Sequence, residues 1–267
     1  MFKTRLLSGI ILVVLALILI ITGGNVLLGT LFVISLVGLS ELYRIVQIEK
    51  SAAGVVGYLA AAVFYANLFY PFLPEKMVFV IGTLVVLMFV YVFTYPRFKT
   101  EQILVVYFGV FYVAGMMSYI YQTRMLEHGA YIVWLIFLCS WGCDTCAYCV
   151  GVLFGKHKMS PKLSPKKSVE GAVGGVAGSM LLTLLYAWIF REQMQIGTNE
   201  LFLLSAISGA GALISMVGDL AASAIKRNYG IKDYGKLIPG HGGILDRFDS
   251  VIFTAPVIYF LAAYLIK

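Results

Sequence analysis

Charged residues are scarce in this chain of 267 residues: Asp, Glu, Lys and Arg make up 12% of it, whereas 61% is hydrophobic. Soluble domains carry roughly 25% charged residues. So few charges cannot cover the apolar surface of the chain in water, which excludes an ordinary soluble globule. Lipid is the remaining solvent, and only helices and closed barrels satisfy their backbone hydrogen bonds within it.

The chain also lacks the alternation of apolar and polar residues that a transmembrane barrel requires. Its apolar residues form long continuous runs instead, and about 20 such residues span a bilayer as a helix. The sequence therefore predicts an all-α, polytopic transmembrane helical bundle with about nine spans. The predicted runs are 6–22, 26–42, 52–70, 77–93, 103–119, 130–153, 171–190, 201–222 and 250–266.

The basic residues predict the orientation of these spans. If the N-terminus is cytoplasmic, nine spans place all but four of the 20 basic residues on the cytoplasmic side; the exceptions are Lys76, Arg124, Arg191 and Lys267. This asymmetry is the positive-inside pattern of membrane proteins. The first run also resembles a signal peptide, but no small-residue cleavage site follows it, so we expect it to remain as a span.

Long polar stretches and internal repeats are missing as well. The two polar loops at 154–169 and 223–247 are too short to form a domain. One integral membrane domain over residues 1–267 is therefore expected. Four cysteines recur within one run, but ligands spread along about 15 Å of helix cannot converge on one ion, so they are interpreted as packing residues.

Acidic residues inside the apolar runs ask for a reason, because each costs roughly 2.5–3.5 kcal/mol to insert. Asp144 lies in the sixth run and Asp219 near the end of the eighth, while Asp246 and Asp249 lie where the ninth begins. If a helix starts near Leu245, the last two point the same way. Clustered carboxylates suit Mg²⁺, although hydrogen bonds between helices are an alternative use for a single Asp.

Basic residues accompany these acids in the sequence. On a helix, Asp219, Ser223 and Lys226 share one face, with Arg227 beside them. The loop that follows contains Lys232, Asp233, His241 and several glycines, a combination that can cradle phosphate. No phosphate-loop or dinucleotide fingerprint is present, so this loop taken alone is a weak signal.

Residues 223–249, SAIKRNYGIKDYGKLIPGHGGILDRFD, resemble the signature of the phosphatidate cytidylyltransferase family, also called CDP-diacylglycerol synthases, of the bacterial type. Every fixed position of that signature is filled. Residues 144–148, DTCAY, and 164–171, SPKKSVEG, also look like family elements. At Ser168 the family more often has Thr, and the hydroxyl is retained. The resemblance covers the C-terminal half, so residues 130–267 are expected to be catalytic and 1–129 to serve as scaffold or in oligomerisation.

The resemblance implies that the phosphate of phosphatidic acid attacks the α-phosphorus of CTP, giving CDP-diacylglycerol and pyrophosphate for phospholipid biosynthesis. It implies Mg²⁺ or another divalent cation, with a monovalent cation left open. Further partners would be membrane lipids and, as an open question, a second copy of the chain; nucleic acid is not expected. The location implied is the bacterial inner membrane, with the active site on the cytoplasmic side.

Roles follow for named residues as hypotheses. Asp219, Asp246 and Asp249 would hold the metal, with Asp144 as a ligand or supporting residue. Lys167, Lys226, Arg227, His241 and Arg247, with Ser223, would contact substrate phosphates. Glu170 would orient Lys167, bind cytidine or interact favourably with a helix dipole. Lys232 and Asp233 have no assigned role. Asp233 and Arg247 could instead form an ion pair that serves folding alone. Glu41 and Arg44, near the cytoplasmic end of the second run, could simply form an ion pair.

Two other functions stay open on the sequence alone. A CTP-dependent polyprenol or phytol kinase would transfer the γ-phosphate to an alcohol. An ion-coupled transporter also uses intramembrane acids, but these should lie near the midplane of two repeated halves, which are not visible here. CDP-alcohol phosphatidyltransferases are disfavoured, because their pattern requires Gly directly after the first Asp, whereas Leu220 follows Asp219.

Overall fold

The structure, a computed structural model, describes residues 2–265 and the side chains of residues 8–264. Within that range the backbone forms nine helices and one hairpin. The elements are α1 (Phe2–Thr22), α2 (Gly24–Ile45), α3 (Ala52–Phe69), α4 (Lys76–Phe93), α5 (Thr100–Arg124), α6 (Gly129–Phe154), β1 (Lys158–Ser160), β2 (Ser164–Ser168), α7 (Val169–Ile189), α8 (Thr198–Asn228) and α9 (Leu245–Leu265). Each helix covers one predicted apolar run, so the predicted helical bundle is confirmed. The side chains of Lys3 and Arg5, and residues 266 and 267, lie outside the described part.

Seven of the helices in the described range, α2 to α8, are long and apolar enough to cross a bilayer. The described part of α1 that meets the apolar criterion, Ser8–Thr22, is shorter. Large apolar side chains such as Phe89, Phe93 and Leu181 are exposed on these helices. Surfaces of this kind need a lipid solvent, so the chain is an integral membrane protein.

A short antiparallel hairpin replaces the loop predicted at 154–169. Strand β1 pairs with β2, with Lys158 opposite Ser168 and Ser160 opposite Ser164. The strands are short and rich in lysine and serine, without the alternating apolar residues by which strands are recognised. The sequence therefore gave no signal for this hairpin, which carries Lys167 toward the helices.

Contacts divide the chain into two compact units. The first comprises residues 1–121 with 233–246, and the second comprises residues 122–232 with 247–267. The polar loop before α9 therefore belongs with the N-terminal helices. The predicted division into a scaffold part and a catalytic part concerns function and stays a prediction.

Close packing around Tyr43 forms the centre of the first unit. This side chain is fully buried, and its hydroxyl donates to the carbonyl of Val106 in α5 at 3.0 Å. Gly57 of α3 and Gly109 of α5 lie directly against the Tyr43 side chain, where an added Cβ would overlap it. Small residues thus allow α2, α3 and α5 to approach closely, as is usual between membrane helices.

Glycines also set the distance between α6 and α7 in the second unit. A Cβ at Gly174 would overlap Val150, and one at Gly178 would overlap Cys146. On its other side α7 is joined to α8 by a hydrogen bond of 2.7 Å between the buried hydroxyls of Ser179 and Ser208. This packing fixes α6, α7 and α8 side by side and so positions the polar residues at their ends.

Candidate functional site

The last turns of α8 carry the predicted polar face. Ser223 and Lys226 are buried, Asp219 is half-buried, and Arg227 is exposed. One Arg227 Nη atom donates to the carbonyl of Ile231 at 3.1 Å, just beyond the end of the helix. Arg227 therefore has a structural contact at the C-terminus of α8, whereas Lys226 is a cation kept away from solvent.

Lys167 at the end of the hairpin forms an ion pair with Asp219 of α8. The two side chains are 27% and 24% exposed. The pairing was not apparent from the sequence, because the residues lie on a strand that was not predicted and on a helix far along the chain. It brings a cation and an acid, each predicted to be functional, into one contact.

Two further carboxylates share the electrostatic neighbourhood of that pair. Asp144 on α6 interacts with the charges of Lys167 and Asp219, and it forms a hydrogen bond with Ser250. Asp249 on α9 is 8% exposed and interacts with the charges of Asp219 and Asp144. Carboxylates from α6, α8 and α9 therefore lie together in the second unit.

Two more cations interact with two of these three carboxylates. The charge of Arg247 acts on Asp144, and that of Lys226 acts on Asp249. The Nε of Arg247 is buried and has no hydrogen-bond partner among the described residues. Buried donors in proteins nearly always have an acceptor, so a bound phosphate oxygen is a natural partner for this nitrogen.

An open cavity of about 660 Å³ lies beside these groups in the second unit. Its polar lining includes Asp144, Asp219, Lys167 and two further lysines of the hairpin, Lys158 and Lys166. Apolar residues complete the wall: Val152, Met159, Ala172 and Met216. The volume is within the range of small-molecule sites, and the lining suits a ligand with both anionic and apolar parts.

Glu170, in the first turn of α7, holds the segment that leads into the hairpin. Its carboxylate accepts from the backbone N–H of Lys156 at 3.0 Å and from that of His157 at 3.2 Å. The ring Nδ1 of His157 lies 2.5 Å from the same carboxylate. Its partners are therefore backbone and His157, not Lys167, which makes Glu170 a positioning residue for the hairpin.

The loop of residues 233–246 lies in the first unit and carries His241 and Asp246. The carboxylate of Asp246, which is 6% exposed, accepts from the backbone N–H of Tyr234 at 2.8 Å and of Gly243 at 2.9 Å. Gly242 has a φ of 85°, a left-handed conformation that favours glycine. Asp246 thus organises the loop besides being a predicted metal ligand. Lys232 and Asp233, just before it, are exposed.

Glu41 of α2 also binds this loop, a contact that the sequence analysis did not predict. It is 3% exposed on α2, and its two oxygens accept from the backbone N–H of Ile244 at 3.0 Å and of Leu245 at 2.9 Å. These amides lie where α9 begins and have no partner within that helix. Gly235 and Gly243 pack against the carboxylate. The charge of Arg44 also acts on Glu41, but pairing with Arg44 alone does not account for the two hydrogen bonds to the loop.

The predicted metal ligands thus fall into two sets: Asp246 in the first unit, and Asp144, Asp219 and Asp249 in the second. Among residues 8–264, no three His, Cys, Asp or Glu side chains form a complete metal site on their own. The four cysteines are free thiols: Cys139 and Cys143 are buried, Cys146 is half-buried and Cys149 is exposed.

Known proteins match this sequence over nearly its whole length. The sequence model of the cytidylyltransferase family matches residues 3–265. A Bacillus subtilis protein named phosphatidate cytidylyltransferase is 32% identical over 267 residues, covering 98% of this chain and 97% of that protein. Proteins of the same name from Staphylococcus epidermidis and Staphylococcus aureus are 33% and 31% identical, each covering 97% of this chain and 98% of its own length.

Proposed function

Because this chain belongs to the cytidylyltransferase family, we infer that it transfers the cytidylyl group of CTP to phosphatidic acid, giving CDP-diacylglycerol and pyrophosphate. The observation that carries this conclusion is the match over residues 3–265, together with relatives of that name that align over nearly their full length. The cavity beside Lys167 and Asp219, with its cationic and apolar walls, supports it.

A labelling experiment tests the reaction directly. Purified protein in detergent receives phosphatidic acid and CTP labelled on either the α- or the γ-phosphate. Cytidylyl transfer moves only the α-label into the lipid, whereas a lipid kinase moves the γ-label. Entry of the γ-label into lipid, or of neither label, would contradict the proposed function.

The reaction needs charge neutralisation more than proton transfer. A phosphate monoester has a second pKa near 6, so the attacking phosphate of phosphatidic acid is already mostly a dianion at neutral pH. No strong general base is therefore required of the protein. The task is to hold two polyanions together and to stabilise the charge that develops on the departing pyrophosphate.

Cations of the second unit are suited to this task. We assign phosphate contacts to Lys167, Lys226 and Arg247, since the first lies at the cavity, the second is buried, and the third has a buried Nε without an acceptor. Lys167 is held by Asp219, and a substrate phosphate would compete for the same ammonium group. We keep phosphate contacts of His241, Arg227 and Ser223 as part of this proposal.

The carboxylates of the second unit have the donor chemistry for Mg²⁺. This ion typically takes one or two protein carboxylates and completes its octahedron with water and substrate phosphate. Asp219, with Asp144 or Asp249, would supply that number, so the absence of a complete protein-only site is compatible with the assignment. The resemblance adds Asp246 as a further predicted ligand. A bound divalent cation would supply charge neutralisation of the phosphates.

We also propose the finer topology: nine spans, a cytoplasmic N-terminus, and an active site on the cytoplasmic side of the bacterial inner membrane. The basic residues support it, because the lysines of the hairpin and of the loop after α8 would then all face the cytoplasm, where CTP is available. Labelling in intact cells of single cysteines introduced at Lys162 and Lys76, in a variant without the four native cysteines, tests the orientation. Only the Lys76 site, on the outer side, should react with an impermeant reagent. Cross-linking in membranes tests whether two copies of the chain form a homodimer, which the sequence left open.

A further inference from the structure

We propose that Ser8, on the first helix, is a positioning residue for His241: its hydroxyl fixes the orientation of the imidazole ring in the loop before α9. This proposal rests on the proposed function, in which His241 contacts substrate phosphate. It gives the first apolar run, which the sequence identified only as a span, a part in the active site.

Two contacts join Ser8 to the loop within the first unit. The Ser8 hydroxyl oxygen lies 2.7 Å from Nδ1 of His241 and 3.1 Å from the carbonyl oxygen of Pro239. More than 230 positions separate these residues in the chain. At the next residue, Gly9, an added Cβ would lie in ordinary van der Waals contact with the ring, 3.9 Å from Cε1 of His241. The imidazole therefore packs on the surface of α1 at these two residues.

The backbone that carries His241 is held separately. Its N–H donates to the carbonyl of Ile238 at 2.9 Å, and the N–H of Ile238 donates to the carbonyl of Gly242 at 2.8 Å. Left-handed glycines at 240 and 242, with φ of 79° and 85°, complete this tight turn. Because the turn fixes the main chain, the remaining freedom of His241 lies in its side-chain torsions, which the contact with Ser8 restricts.

The tautomer of His241 sets the direction of its hydrogen bond with Ser8. Ser8 has one hydroxyl proton, and the Pro239 carbonyl can only accept. If Ser8 donates to Pro239, Nδ1 of His241 must carry a proton and donate it to the Ser8 oxygen. This arrangement satisfies both contacts and holds the ring with its Nδ1 edge toward α1. A second group that fixes one ring nitrogen is the usual way in which proteins orient a functional histidine.

The experiment compares Ser8→Ala with Ser8→Thr, which keeps the hydroxyl, in the full-length protein in detergent. Thr22→Val is the matched control on the same helix, since among the described residues that hydroxyl bonds only to the Ile18 carbonyl of its own helix, at 2.8 Å. We measure kcat and KM for CTP and for phosphatidic acid, together with the unfolding temperature. Loss of one hydrogen bond corresponds to about a five-fold lower kcat/KM for Ser8→Ala, with a fall in unfolding temperature of at most about 2–4 °C. Ser8→Thr and Thr22→Val should match the wild type.

The variant His241→Ala tests separately whether Ser8 acts through His241 and whether His241 contacts substrate phosphate. If Ser8 acts through His241, adding Ser8→Ala to His241→Ala causes no further loss. Wild-type kinetics in Ser8→Ala, equal losses in Ser8→Ala and Ser8→Thr, or independent losses in the double variant would each overturn the positioning role. Full activity of His241→Ala would instead remove the phosphate contact assigned to His241, and missing transfer of the α-label by the wild type would remove the proposed function.

Discussion

Replacing Glu41 with alanine should destabilise the loop before α9 and stop turnover. The change removes the acceptor of two backbone hydrogen bonds, from Ile244 and Leu245, at a site that is 3% exposed. A hydrogen bond to a charged group contributes about 1.5–3 kcal/mol. Water that enters the new cavity will replace part of this, so we expect a loss of about 3 kcal/mol of stability, or about 6–12 °C in unfolding temperature.

A graded series makes the measurement specific. Glu41→Gln keeps one acceptor oxygen, so it should lose about half as much stability as Glu41→Ala. Glu75→Ala is the control, because that exposed residue precedes α4 without capping it. Unfolding temperatures are followed by thermal scanning in detergent, and turnover is followed by transfer of the α-label of CTP into lipid.

The reasoning about Glu41 would be refuted by a Glu41→Ala protein with the unfolding temperature and turnover of the wild type. Equal losses in Glu41→Ala and Glu41→Gln would also contradict it, because the argument depends on the number of acceptor oxygens. A loss of turnover with an unchanged unfolding temperature would show that Glu41 has a chemical role that the geometry does not assign.

Three further predictions concern the site. Lys167→Ala should lower kcat/KM about 10- to 100-fold, the range of one lost charged hydrogen bond, while Lys162→Ala, on the exposed turn of the hairpin, should not. Asp246→Ala should abolish turnover; Asp246→Asn should as well, but with a near-normal unfolding temperature, because it keeps an oxygen for the two loop amides. Chelation with EDTA should remove activity, and Mg²⁺ should restore it.

Each of these predictions has a result that contradicts it. Equal effects at Lys167 and Lys162 would indicate that the ion pair with Asp219 has no part in binding. Appreciable turnover in Asp246→Asn would exclude the carboxylate as a metal ligand. Activity that persists after EDTA treatment would remove the divalent cation from the proposed mechanism.

Hydropathy and charge were sufficient to predict the helices. Apolar runs must be long enough to cross lipid, so the approximate limits of the helices can be read from the order of apolar residues in the sequence. The ninth apolar run was predicted at 250–266, and a helix start near Leu245 was considered only as a condition; in the structure α9 begins at Leu245. The helical bundle needed only local sequence and is confirmed, whereas the count of nine spans and their orientation stay predictions.

Contacts between distant residues could not be predicted in the same way. Glu41 has Arg44 three residues away on its own helix, which suggested a local ion pair, whereas its actual partners are backbone amides that carry no sequence signal. The strands that hold Lys167 have no apolar alternation. A π-helical turn over Leu138–Gly142 precedes Asp144 and shifts the angular position that a regular helix would give it.

One signal for Glu41 was nevertheless present. A lone carboxylate near the end of an apolar run costs energy to insert unless it is used. Two glycines of the loop, Gly235 and Gly243, have no side chain because the carboxylate occupies that space. Read together, an acid in one run and glycines in a distant polar loop can indicate such a contact, although the sequence alone does not identify the pair.

The separation of Glu41 from its partners has a consequence for biosynthesis. Ile244 lies 203 positions after Glu41, and ribosomes add about 5–20 residues per second. The carboxylate is therefore synthesised about 10–40 s before the amides that it binds. Every nascent chain remains without this contact until nearly the whole protein has been translated, so premature termination releases fragments that cannot complete the loop.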